Sequence, residues 1–172
     1  KIPLCPGMAR WHMIGHLQSN KCRDAVQFFA MIEGVDSLEL AREIDKWAEK
    51  AARTMPVLLE VNVAGESSKF GYGPEWGVLA LTKLIDRPRT DAHGLMAIAP
   101  WSPAPEKAGS VFRRVRELRE ECEQGLGAPR GQLSMGMSGD FEVAIEEGAT
   151  LVRVGTALFG PRARPVRSVG GD

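Results

Sequence analysis

Apolar positions along this chain follow two rhythms, and the rhythms take turns. From Arg10, "RWHMIG" reads as a strand, and the later half of "HLQSNKCRDAVQFF" spaces Cys22, Val26 and Phe29 along one helical face. A short apolar run, "AMIEGV", ends at "DSLE", where Asp36 is placed to cap a helix and Glu39 to complete a capping box. The helix that follows sets Leu40, Ile44, Trp47 and Ala51 on one face and stops before Pro56. "VLLEVNV", from Val57, is a strand by its β-branched and apolar content, and "AGESSKFGYG" is a loop by its glycines and serines.

The alternation continues to the end. Pro74 suits the first turn of "PEWGVLALTKLID", after which "GLMAIA" gives a strand. Pro100, Pro103 and Pro105 force a loop before the charged amphipathic helix "AGSVFRRVRELREECEQ". The last third supplies strand "QLSMGMS", helix "GDFEVAIEEG", strand "TLVRVG" and a helical turn, "TALFG". Residues 1–160 are therefore expected to form one domain, and the Pro-, Gly- and Arg-rich tail over 161–172 is expected to be disordered. Roughly six strands alternating with helices predict a parallel sheet with helices packed outside it. A closed barrel and an open doubly wound sheet both satisfy that pattern, and in both the ligand site lies at the carboxyl ends of the strands.

Composition narrows the partners. Of 172 residues 44% are hydrophobic, and 22 basic side chains balance 22 acidic ones, so the chain can bury a sizeable core but carries no excess charge for a nucleic-acid surface. No apolar run reaches the roughly 18 residues that would span a bilayer, so no membrane partner is expected. The three cysteines form no CxxC and cannot all pair, which suits reduced thiols in the cytoplasm. The chain starts at Lys1 rather than Met, and "KIPLCPGMAR" carries no clear start of an element, so an incomplete chain is expected.

Candidate chemistry is uneven along the chain. His12 and His16 are four apart, but they fall where strand runs into loop, roughly 13 Å apart at the usual rise, and no metal site is expected. His12 alone reads equally as a pocket wall or a hydrogen-bonded core histidine. "GYGPEWG" lacks the Lys-Ser or Lys-Thr of a P-loop and reads as a turn, and "RRVRELREE" reads as a solvated face with i to i+4 ion pairs.

The final βαβ unit is richer. Ser138 and Gly139 open a helix, and Gly155 and Thr156 open another just after the next strand, so free backbone N–H groups and helix dipoles favour an anion there. Strand alternation turns Arg153 inward, where it needs a partner, either a carboxylate or a ring atom of a ligand beside the anion site. The same alternation turns Ser134, Gly136 and Ser138 inward and Met135 and Met137 outward against helices. Small inward side chains leave space for a flat ring, so a phosphate-bearing aromatic cofactor suits this unit better than a sugar phosphate.

Four stretches carry a family resemblance: "WHMIGHLQSNK" (11–21), "VNVAGESSKFG" (61–71), "GLMAI" (94–98) and "LSMGMSGDFEVAIEEGATLVRVGTALFG" (133–160). Together they resemble the pyridoxal 5′-phosphate (PLP) homeostasis proteins, the YggS/PROSC family. The resemblance implies a single (β/α)8 TIM-type barrel of the alanine racemase N-terminal domain type, here incomplete, with strands three to eight present. It implies a PLP-binding protein of intracellular PLP homeostasis, a cofactor carrier or reservoir without catalysis, which serves PLP-dependent apoenzymes. The cytoplasm is the implied location, with mitochondrial association if the source is eukaryotic.

Carried over by position, Ser138 and the backbone of Gly155 and Thr156 would hold the phosphate and Arg153 would approach the pyridine nitrogen. Ser134, Gly136, His12 and Met96 would surround the ring, and Lys69 would stand at the pocket mouth. The family's Schiff-base lysine lies in a first-strand segment resembling "VSKTKP", and the second strand carries "FGEN". Neither segment is in this chain, so no catalytic residue is assigned. A PLP-dependent amino-acid racemase or decarboxylase barrel is the alternative function.

Overall fold

The computed structural model describes residues 7, 9–66, 70–102, 104–127 and 129–161. Strand and helix alternate along it. β1 (His12–Met13) leads to α1 (Cys22–Phe28), β2 (Met31–Val35) to α2 (Leu38–Lys50), and β3 (Met55–Glu60) to α3 (Gly77–Ile85). β4 (Thr90–Met96) leads to α4 (Gly109–Leu126), β5 (Gln132–Met137) to α5 (Phe141–Glu146), and β6 (Leu151–Arg153) to α6 (Thr156–Phe159). The tail residues 162–172 lie outside the described residues.

Every neighbouring pair of strands is parallel, and the spatial order is β1-β2-β3-β4-β5-β6. A doubly wound sheet reverses its strand order at a switch point, and this one never does. The sheet is therefore the barrel kind, a curled half-barrel with β1 and β6 at its two edges among the described residues.

Its outer face carries the main core. Ile32, Val57, Leu59, Leu95 and Leu133 pack against Ile44 of α2, Leu81 and Leu84 of α3, and Phe112 and Leu118 of α4, all of them buried. Each such side chain contributes about 1.5–3 kcal/mol on leaving water. The inner face holds a smaller cluster of Met31, Leu58 and Met96, with Ile98 and Leu151 against it.

Local details depart from the sequence reading in four places. Ser37, not Asp36, caps α2: its Oγ accepts from the Leu40 N–H at 3.2 Å, while the Asp36 carboxylate is drawn to His16 Nδ1 at 2.9 Å. The buried face of α2 is Leu40, Ala41, Ile44 and Ala48, and Ala51 is exposed. Trp47 is half-buried with the Lys50 ammonium 4.4 Å above its ring, an arrangement that covers the indole with a cation and removes the need for core space. β4 begins at Thr90, four residues before the expected "GLMAIA", because pairing with β3 extends it. On α4, Arg116 makes the expected i to i+4 pair with Glu120 at 3.3 Å. Arg113 and Arg116 also reach Glu147 at 2.8 and 3.3 Å, so part of this face joins α4 to the end of α5. The Arg113 hydrogen bond holds the Glu147 carboxyl below its ordinary value.

Candidate functional site

The site begins where β5 stops alternating. Gly136 has φ +91, and a Cβ there would stand 2.5 Å from the Ala144 Cβ and 3.0 Å from the Phe141 Cα. Only glycine combines that backbone with so close an approach to a helix. The β5–β6 register shifts between Ser134 and Met137 across the same point. Ser134 accordingly faces inward as expected, but Gly136 faces α5 instead of the interior. Met137 does not pack outward; it is 37% exposed and lines a cavity at the strand ends.

That cavity has a volume of about 690 Å³, within the usual range for small-ligand sites. Ile14, Ile98 and Met137 form apolar wall, and Trp101 stands at its edge, 86% exposed. Ser138, Arg153, Gly155 and Thr156 supply polar wall. The Ser138 hydroxyl accepts from the backbone N–H of Gly155 at 3.1 Å and of Ala157 at 3.2 Å. Two N–H groups thus converge on one oxygen, with Thr156 between them in sequence, and an anionic oxygen arriving there meets the same donors. α5 itself starts at Phe141, later than the sequence reading placed it, because Asp140 closes a turn by accepting from the Met137 N–H at 2.6 Å.

Behind this wall runs a chain of polar contacts. Arg153 donates from Nη1 to the Ser134 Oγ at 2.6 Å and from Nη2 to the Ala97 carbonyl at 2.7 Å. Ser134 Oγ lies 2.5 Å from Glu33 Oε2, and His12 Nδ1 lies 2.7 Å from Glu33 Oε1. Burial pushes the Arg153 guanidinium below its ordinary value, while Glu33, Glu60 and Asp140 oppose that shift. An arginine starts so far above neutrality that it stays charged. Glu60, 7% exposed, is raised above the ordinary carboxyl value by burial first and by Asp36 second, against Arg153 and His16.

The structure thus brings Ser138, Arg153, Gly155 and Thr156 onto one cavity, as the sequence predicts. Ser134 is fully buried behind Arg153 and does not line the cavity. His12 is the hydrogen-bonded histidine of the two readings, paired with Glu33. His16 stacks on Phe70 with ring centroids 3.8 Å apart. Met96 lies in the inner apolar cluster, and Lys69 lies outside the described residues. Among the described residues no group of three or more His, Cys, Asp and Glu comes close enough to hold a metal. Sequence reasoning missed Glu33 and Glu60. The signal was a carboxylate inside each of two apolar strands, "AMIEGV" and "VLLEVNV".

A barrel-type parallel sheet with converging backbone N–H groups and a half-buried arginine at the carboxyl ends of its last two strands has the architecture of a (β/α)-barrel domain with a cavity at the strand ends. Comparison with known proteins gives the same class. The chain matches the family "Alanine racemase, N-terminal domain" over residues 7–163. A pyridoxal phosphate homeostasis protein of Aquifex aeolicus is 45% identical over 152 residues, covering 88% of this chain and 67% of that protein. One from Synechocystis is 38% identical over 152 residues, covering 88% and 70%. PipY of Synechococcus elongatus, solved without PLP, is 38% identical with a TM-score of 0.81, covering 87% of this chain and 70% of that one. It has also been solved with PLP bound, at a TM-score of 0.80. Alanine racemase of Clostridium difficile, 17% identical at a TM-score of 0.68, shares the fold alone.

The chain belongs to the pyridoxal phosphate homeostasis proteins, within the alanine racemase N-terminal domain family. It spans about two thirds of the length of the curated relatives it matches.

Proposed function

We propose that this chain binds PLP at the ends of β5 and β6, as a carrier or reservoir of the cofactor without turnover of its own. One observation carries the reading: the Gly155 and Ala157 N–H groups converge beside Arg153 on the wall of a single cavity, in a chain so similar to PLP homeostasis proteins. The residues fit the group. Ser138 and the two N–H donors suit the phosphate, Ile14, Ile98 and Met137 suit the faces of a ring, and Arg153 suits its nitrogen edge. When bound, PLP supplies an electron-withdrawing ring, and a guanidinium beside the ring nitrogen disfavours its protonation and so weakens that pull. Such a site favours holding and releasing the cofactor over amino-acid chemistry.

Among the described residues lining the cavity there is no lysine, and non-covalent binding by this chain is part of the reading. Ser134, Gly136, His12 and Met96 act behind the cavity wall in this reading, and for Lys69, which lies outside the described residues, the resemblance alone suggests a role near the pocket mouth. PLP-dependent apoenzymes are the recipients. A reducing compartment such as the cytoplasm suits Cys22 and Cys122, whose burial pushes both thiols up to about 11.

Titration with PLP, followed by tryptophan fluorescence, tests the reading. Saturable binding is expected, released by dialysis even after borohydride treatment. Arg153→Met and Ser138→Ala are each expected to weaken it about tenfold or more, the worth of one charge-assisted hydrogen bond. Absence of saturable binding would overturn the proposal, and so would racemisation of alanine at ordinary enzyme rates.

A further inference from the structure

Glu33 is a carboxylate 3% exposed on β2, among the buried apolar side chains Met31, Ile32 and Val35. A buried carboxylate is tolerated only when its oxygens are bonded. Here Oε1 meets His12 on β1 and Oε2 meets Ser134 on β5. In strand order β3 and β4 stand between β2 and β5, so the second contact crosses the interior of the half-barrel.

The direction of the bonds follows from the groups. A guanidinium only donates, so the Ser134 oxygen accepts from Arg153 Nη1. With that oxygen accepting from Arg153, the contact to Glu33 is made by the single Ser134 proton, donated to Oε2. Arg153 is thereby held by one N–H on each terminal nitrogen, to Ser134 and to the Ala97 carbonyl, and two such bonds set the plane of the guanidinium. Without the Glu33 acceptor, nothing on the far side holds the Ser134 side chain in its rotamer, and the oxygen that accepts from Arg153 Nη1 loses its fixed place.

We propose that Glu33 is the positioning residue of this site: acting through the Ser134 hydroxyl, it sets the direction in which Arg153 presents its guanidinium to the cavity. The ligand named for that guanidinium, the ring of PLP, rests on the function proposed above. The positioning itself is a property of the chain alone. Glu33 acts on ring recognition and leaves the phosphate cradle at Ser138 unchanged.

Two variants separate this role from simple support of the fold. Glu33→Met keeps the length and apolar contacts and removes the acceptor, while Glu33→Gln keeps an acceptor oxygen. Glu33→Met is expected to weaken PLP binding about tenfold, with inorganic phosphate binding unchanged, and Glu33→Gln is expected to stay within about threefold of the parent. In an Arg153→Met background, Glu33→Met should add no further loss. Equal loss of PLP and phosphate, full retention of PLP by Glu33→Met, or failure of Glu33→Gln to rescue would each overturn the proposal.

A ligand-free measurement stands beside these. Nitrogen-15 NMR should show the Arg153 guanidinium N–H signals resolved in the parent and in Glu33→Gln, and averaged by rotation in Glu33→Met. If the parent binds no PLP, the function proposed above fails on its own. In that case unchanged Arg153 signals in Glu33→Met overturn the positioning role, and their loss upholds it.

Discussion

The two faces of the curled sheet are held by different forces. Outside, Ile32, Val57, Leu59, Leu95 and Leu133 meet the helices in one continuous apolar layer. Inside, a small apolar cluster of Met31, Leu58 and Met96 accompanies a polar chain from His12 through Glu33 and Ser134 to Arg153. Apolar contacts add up over area and tolerate small shifts, whereas the polar chain depends on donor and acceptor standing within a few tenths of an ångström. Stability is thus concentrated on the outer face, and the proposed PLP recognition draws on the inner one, so the two should respond separately to substitution.

The largest expected effect lies outside. Phe112→Ala, on a side chain of α4 with no exposed surface, should cost about 3–5 kcal/mol of unfolding free energy in urea titrations, and whatever remains folded should bind PLP normally. A proportional loss of affinity in the folded fraction would break the separation of the two faces.

Gly136 is where the faces meet, and Gly136→Ala should disturb both. The added Cβ falls on Ala144 and Phe141 from a backbone with φ +91, so a loss of about 2–3 kcal/mol is expected. Because α5 must move, Ser138 moves with it, and PLP affinity should fall in the same variant. A stable Gly136→Ala protein with parental affinity would show that the strand can resume its alternation.

The smallest effect is a pH dependence that belongs to the inner face. Burial raises the folded-state carboxyl of Glu60 above its ordinary value, so the folded protein holds a proton that the unfolded chain has already lost. Stability from this group is fully present below the ordinary carboxyl value and is lost as pH rises through the raised one. Glu60→Gln lacks that titration. Relative to it, the parent should lose stability as pH rises above the ordinary carboxyl range, measured by melting across pH. A parent that gains on Glu60→Gln over that window would mean that Arg153 and His16 outweigh burial.

How much was legible varied with the distance over which each feature is decided. The order of strands and helices and the parallel sheet were readable because each rests on a local period. The cluster of Ser138, Arg153, Gly155 and Thr156 was readable because it sits in one short βαβ unit. The cap of α2 moved by one residue because His16, from another loop, competes for Asp36. The inward face assigned to Gly136 failed because alternation holds only while φ stays negative. The choice between a barrel and a doubly wound sheet was open to the periodicity, and strand order closed it.

By itself the chain determined the alternation of elements, the glycine and serine positions that open the last two strand ends, and the requirement that Arg153 find a partner. Which partner it found was a matter of tertiary structure. Glu33 and Ser134 are 101 residues apart, on strands separated by two others. Their contact exists because a small rotation at each strand pairing accumulates into a curl that turns β2 toward β5. No local pattern carries that sum, so the sequence could state the need and only the folded sheet could supply Ser134 and Ala97 as the partners, with Glu33 bonded behind Ser134.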